Sequence, residues 1–264
     1  MTKSKKRVEA GKWQSQRFGS EDAKRSLILF HGYTGSPDDF ADFPELLSKE
    51  LDVFVYVPLL PGHGTSIRDL MSFNYDNFLT AAREAIREVS TRGYPFAIGG
   101  HSFGSFLAMQ TAAETNPSGL FTTVIPHTLR FPFTPPIGNL FVRIKPLWTK
   151  HIPDYEMDAR QGTFFYTEMP GKGLGLIIEG KRRNKEIVAK ITCPVLTIHT
   201  QGDTFAHAES GAKSIEGINS AIQNNLIIES IGHSIFYYEE NRETLMHSLS
   251  DFLNIAFSQT NGSK

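Results

Sequence analysis

Few backbones accommodate the stretch Gly99-Gly100-His101-Ser102-Phe103-Gly104. An apolar run, residues 94–98, precedes it and reads as a buried strand. An Ala-, Leu- and Met-rich run, residues 105–115, follows it and reads as a helix. Gly100 to Gly104 therefore forms a G-x-S-x-G elbow in the strand–turn–helix setting that the motif needs. A serine at so sharp a turn is held in a strained conformation, and neighbours with side chains would collide with it. Gly100 and Gly104 remove those side chains, and His101 braces the turn. The turn also opens a helix, so free N–H groups and the positive end of the helix dipole face the serine hydroxyl.

A hydroxyl is a weak nucleophile until a base takes its proton, and that base needs a third group to orient it. With the serine on such an elbow, the acid is expected after a late strand and the histidine after the last one. Residues 194–200 read as a late strand, and the loop behind them, 201–205, holds one carboxylate, Asp203. Residues 225–230 read as the last strand, and His233 is the histidine of the loop behind it. The structural alternatives are an incidental serine in a glycine-rich turn, Asp203 as a helix cap and His233 as a core histidine. An oxyanion needs two N–H donors. Phe103, the residue after the serine, offers one. Tyr33, after His31-Gly32 at the end of an early strand (26–30), offers the other. His31 supports the site, and His63 in the PGHG stretch, 61–64, shapes a loop beside it.

Strands and helices alternate along the chain. Strands are expected at 13–18, 26–30, 52–57, 94–99 and 119–125, with helices at 37–50, 74–91 and 105–115 between them. This rhythm implies right-handed crossovers and a mostly parallel α/β sheet with helices on both faces. It breaks over 126–190, which is rich in proline, glycine and aromatic residues, and resumes with a helix at 206–217 and a closing helix at 235–257. The expected division is a core of 1–125 and 191–264 with a cap inserted at 126–190, after the sixth strand. Gly171, Gly173 and Gly175 read as a mobile hinge or loop. Phe131, Phe133, Phe141, Trp148, Tyr155, Phe164, Phe165 and Tyr166 suggest an apolar pocket lining or a small cap core.

Composition narrows the function. The 264 residues carry 27 Lys and Arg against 28 Asp and Glu, a formal charge of −1, which gives no electrostatic case for nucleic acid. One cysteine, Cys193, excludes an internal disulfide, and no His spacing suggests a metal site. No run of about twenty apolar residues could span a bilayer, and the basic start of the chain reads as a solvated tail with at most weak lipid contact. Without an apolar run behind that start, a cytoplasmic location is expected. No cofactor is expected.

The combination of LFHGYTGSPDDF at 29–40, PGHGTS at 61–66, GHSFG at 100–104, Gly202-Asp203 and GHS at 232–234 resembles the α/β-hydrolase fold carboxylesterases and monoacylglycerol-lipase-like enzymes. The resemblance spans about 27–257 apart from the insertion. It implies Ser102 as nucleophile, Asp203 as acid, His233 as base, backbone donors at Tyr33 and Phe103, and a small-molecule ester as substrate. The sequence departs from the family pattern at Leu59-Leu60, where an acidic residue often precedes the PGHG loop, and at Phe205-Ala206, where a valine-proline pair often follows the acid. The same three side chains could also serve thioester, amide or carbon–carbon bond hydrolysis, or the fold could be a small-ligand receptor.

Overall fold

The computed structural model describes residues 13–130, 147–150, 152 and 154–259. Seven strands form one sheet in the order β1 (Gln16–Phe18), β3 (Phe54–Val57), β2 (Ser26–Phe30), β4 (Phe96–His101), β5 (Leu120–Thr123), β8 (Val195–Gly202) and β9 (Gln223–Ile231). Only β1 runs antiparallel, against β3. The chain leaves β2 to one side to make β3, then returns to the other side to make β4. Strand order therefore reverses between β2 and β4, and a crevice opens beyond their carboxyl ends, where open α/β sheets bind ligands.

The unbroken apolar run of β2 is explained by burial on both faces. Ile28 and Phe30 pack with helices α3 (Tyr75–Ser90) and α4 (Phe103–Thr115), while Leu27 and Leu29 pack with α1 (Phe43–Leu51) and α8 (Glu239–Gln259). The amphipathic pattern of α3 buries Phe78, Ala82, Ala85 and Val89. Its start is held by Asn74 and Asn77, each side chain accepting the other's backbone N–H, a cap worth about 1 kcal/mol. In α4 every residue from Phe103 to Ala112 is buried.

Several expected boundaries change. The helix expected at 37–50 is two pieces, a 3-10 turn at Pro37–Phe40 and then α1, because Ala41 takes a left-handed φ of 48° between them. The helix expected at 206–217 shrinks to α7 (Ser210–Ser214). Residues 206 and 207 instead bond back to the segment after β5, through the Leu129–Ala206 bridge and the His207 N–H to the Thr128 carbonyl. The long segment between β5 and β8 follows the fifth described strand rather than the sixth. That segment contains a two-stranded ribbon, β6 (Leu147–Thr149) against β7 (Glu168–Pro170), a short helix α5 (Asp154–Ala159), and the 17-residue α6 (Gly171–Ile187).

The glycines read as a hinge are thus the first turns of α6. A Cβ on Gly173 would sit 2.5 Å from the Tyr33 ring, and one on Gly180 would sit 2.8 Å from the Phe106 ring. These glycines let α6 lie against the core, and α6 packs on α4. Of the aromatics expected to line a pocket, Phe131, Phe133 and Phe141 lie outside the described residues, as do the side chains of Trp148 and Tyr155. Phe164 is buried between Trp13 and Tyr166, and Phe165 covers the Arg160 guanidinium, so these two pack rather than line. Among the described residues no helix is long and apolar enough to cross a membrane.

Candidate active site

Ser102 stands between β4 and α4 with φ 51° and ψ −122°, a conformation costing on the order of 1–3 kcal/mol for a residue with a side chain. The surroundings hold it there. The Ser102 N–H donates to the Thr123 carbonyl of β5 at 2.9 Å, and the Ser105 hydroxyl donates to the Gly100 carbonyl at 2.9 Å. Both flanking glycines are needed for close approach. A Cβ on Gly104 would lie 2.0 Å from the Phe30 carbonyl oxygen, and one on Gly100 would lie 2.5 Å from the Gly104 carbonyl oxygen.

Three strand ends then meet. His233, on the loop after β9, lies with Nε2 2.8 Å from the Ser102 hydroxyl oxygen and Nδ1 2.8 Å from Asp203 Oδ2, on the loop after β8. A carboxylate only accepts, so Nδ1 carries the proton and Nε2 is left to accept from the hydroxyl. Asp203 is fully buried, and its Oδ1 accepts the N–H groups of Phe205 at 2.7 Å and Ala206 at 3.2 Å. These bonds do locally what a cap would do. They also aim Oδ2 at the histidine. Burial alone would raise the Asp203 pKa, but the His233 charge and these hydrogen bonds outweigh it and hold it below the usual value. For His233 burial pulls the pKa down, and Asp203, aided by Glu156 and Asp39, pulls it up further, so the net shift is upward from 6.5. The imidazole is 23% exposed and lies between the rings of Phe205 and His101, at 5.4 and 5.6 Å.

His31 and His101 are neutral braces. The Leu60 N–H donates to His31 Nε2 at 3.0 Å, so Nδ1 carries the proton and donates to the Gly32 carbonyl at 2.9 Å. The Thr123 hydroxyl donates to the Gly100 carbonyl, so His101 Nδ1 donates to Thr123 Oγ1 at 3.0 Å. Burial pushes the pKa of each to about 3. His63 reaches the Tyr33 carbonyl with Nε2 at 2.5 Å, which ties the PGHG loop to the end of β2. The Tyr33 ring packs on Phe103 and Phe78, and the N–H groups of Tyr33 and Phe103 donate to no group among the described residues.

Sequence reasoning missed a second buried assembly beside these loops. The Asp39 carboxylate, 4% exposed, accepts the Gly32 N–H on Oδ2 at 2.9 Å and bonds Arg160 on Oδ1 at 2.6 Å. Arg160, 7% exposed, also donates to the Ser234 hydroxyl at 3.0 Å, and its guanidinium stacks over Phe165 and Tyr237. The Ser234 hydroxyl in turn donates to Glu156. Burial would raise the Asp39 pKa, but Arg160, His101, His31 and the Gly32 N–H overcome this and lower it to about 2. In the sequence Asp39 is one of two adjacent acids near the start of the helix expected at 37–50, and Arg160 lies 121 residues away. Further bonds tie the same segment to the loop after β2: Tyr166 N–H to the Thr34 carbonyl at 2.8 Å, Lys150 Nζ to Thr34 Oγ1 at 2.9 Å, and Ser36 Oγ to the Phe164 carbonyl at 2.8 Å.

Comparison with known proteins agrees with this architecture. A search among curated proteins gave no match. Solved structures are similar over most of their length. One comes from a study of LipS and LipT, two metagenome-derived lipolytic enzymes; it is 18% identical, with 91% of this chain and 97% of that chain covered and a TM-score of 0.76. The monoacylglycerol lipase of Paleococcus ferrophilus is 18% identical over 90% of this chain and 97% of its own, with a TM-score of 0.73. A monoglyceride lipase from Saccharomyces cerevisiae is 15% identical over 88% of each chain, with a TM-score of 0.72. The sheet order, the elbow at its switch point and a family model matching residues 27–242 lead to one conclusion: the chain belongs to the alpha/beta hydrolase family.

Proposed function

We propose that the protein is a serine carboxylesterase acting on esters with apolar acyl or alcohol groups, with Ser102, His233 and Asp203 as its catalytic residues and 126–190 as a cap beside the site. The observation that carries this reading is the pair of 2.8 Å contacts joining Ser102 to His233 and His233 to Asp203. The Ser102 oxygen attacks the ester carbonyl carbon while its proton passes to His233 Nε2. The buried Asp203 carboxylate stabilises the imidazolium that results. The carbonyl oxygen, now negative, accepts hydrogen bonds from the N–H groups of Tyr33 and Phe103, and the N-terminus of α4 adds its dipole. The intermediate collapses as His233 returns the proton to the leaving alcohol. Water then attacks the acyl-serine with His233 as base, releasing the acid and restoring the hydroxyl.

The lipolytic and monoacylglycerol-lipase names of structurally similar proteins support ester chemistry. The Phe205 ring beside His233 supports an apolar substrate. A p-nitrophenyl ester series from short to long acyl chains, with a thioester arm, tests the reading. Hydrolysis is expected, with covalent labelling of Ser102 by a fluorophosphonate. Ser102→Ala is expected to lower kcat by about 10⁶-fold. Unchanged hydrolysis in that variant rules the reading out.

A further inference from the structure

We infer that Arg160 is a positioning residue, and that its guanidinium sets the geometry of the oxyanion loop and the histidine loop at once. The inference rests on the esterase reading and extends it to the segment between β5 and β8.

Two neighbours of the reacting groups meet on this side chain. Through Asp39, Arg160 holds the N–H of Gly32, the residue before the donor Tyr33. Through its other terminal nitrogen it holds the hydroxyl of Ser234, the residue after His233. A planar fork serves both partners at fixed separation, which an ammonium on a flexible stem does less well. The surroundings are built for the pair. Arg160 and Asp39 are both more than nine-tenths buried, and the loop after β2 wraps the carboxylate so tightly that a Cβ on Gly35 would lie 1.8 Å from Asp39 Oδ2. The Ser234 hydroxyl donates its hydrogen bond to Glu156, so that the Ser234 oxygen is left to accept from Arg160. No surface role explains a cation enclosed by Phe165, Tyr237, Asp39 and Ser234. Because the guanidinium comes from 121 residues beyond Asp39, the donor and the base reach their places only when that segment is docked.

The test measures kcat and KM per folded molecule, with folding followed by circular dichroism. Arg160→Met should lower kcat about 100-fold with KM changed less than about three-fold, as expected when reacting groups are displaced rather than binding lost. Arg160→Lys should recover part of this, with a deficit of about 10-fold. A purely structural role predicts a lower melting temperature with kcat preserved in the folded fraction. A folded Arg160→Met protein with kcat within about two-fold of the parent therefore overturns the inference. Should that variant not fold, Ser234→Ala decides by the same two-fold criterion.

Imidazole titration by NMR needs no substrate. His233 is faced by Asp203, His101, His199, Glu156 and Asp39. Losing the cation that offsets Asp39 and Glu156 should move its titration to higher pH. If the parent hydrolyses no ester and Ser102 takes no label, the esterase reading fails and this titration alone decides. An upward shift supports the coupling, and an unmoved one overturns it.

Discussion

Two aspartates lie under the same edge of the sheet, and they have opposite work. Asp203 follows β8, Asp39 follows β2, and both carboxylates are withdrawn from water. Each uses one oxygen to fix a loop by accepting backbone N–H groups and the other to meet a cation or a group that becomes one. The difference is the partner. Arg160 is charged at every accessible pH, so the Asp39 pair is a permanent lock. His233 is titratable, with a pKa raised from 6.5, and in the proposed mechanism it gains its charge by taking the serine's proton, so the Asp203 pair would be complete only during reaction. A buried charge facing a permanent partner serves geometry. The same charge facing a titratable partner serves chemistry.

Substitution by asparagine should separate the two. Asp203→Asn is expected to lower kcat about 10⁴-fold, because the amide no longer selects the tautomer with a free Nε2, while the melting temperature changes little. Ester hydrolysis and a thermal melt on one preparation check both parts. Equal losses of activity and stability would erase the distinction. Asp39→Asn should instead cost about 3–5 kcal/mol of stability by urea unfolding. If the amide oxygen serves Gly32, its NH₂ faces Arg160, and a buried guanidinium is left uncompensated.

The smallest effects are those of pH. His233 must be neutral to accept a proton, and its pKa lies above 6.5, so kcat/KM should fall on acidification with a midpoint above that value. In Asp203→Asn this midpoint should move down. The Asp39 pair behaves differently. Its pKa is lowered from 3.8 to about 2, so its contribution to stability is full above 3.8 and is lost as pH falls toward 2, well below the range of the activity limb. Coincident acid transitions for activity and unfolding would contradict the separation.

What could be read in advance follows from the same contrast. Ser102 and Asp203 sit just beyond buried strands, and His233 sits beyond the edge strand β9, whose Leu226-Ile227-Ile228 run still marks it as a strand, so the loops behind them could be found in order. The Asp39–Arg160 pair has no such marker. Asp38 and Asp39 are neighbours in a polar stretch, and nothing local marks Asp39 as the one that is buried. Arg160 follows a six-residue helix in a segment with no clear periodicity. The helix α6 was hidden by its own glycines, which weaken helix propensity yet are needed because Tyr33 and Phe106 occupy the space side chains would take. Local preference and tertiary fit conflict there, and tertiary fit wins.

The vanishing clearance between Gly104 and the Phe30 carbonyl has a mechanical result. Phe30 ends β2, and Tyr33 lies three residues further along the same chain, while Gly104 sits two residues past the serine. The proposed nucleophile and oxyanion donor thus flank one close backbone contact. With the two backbones in contact there, a shift of either segment is expected to carry the other with it.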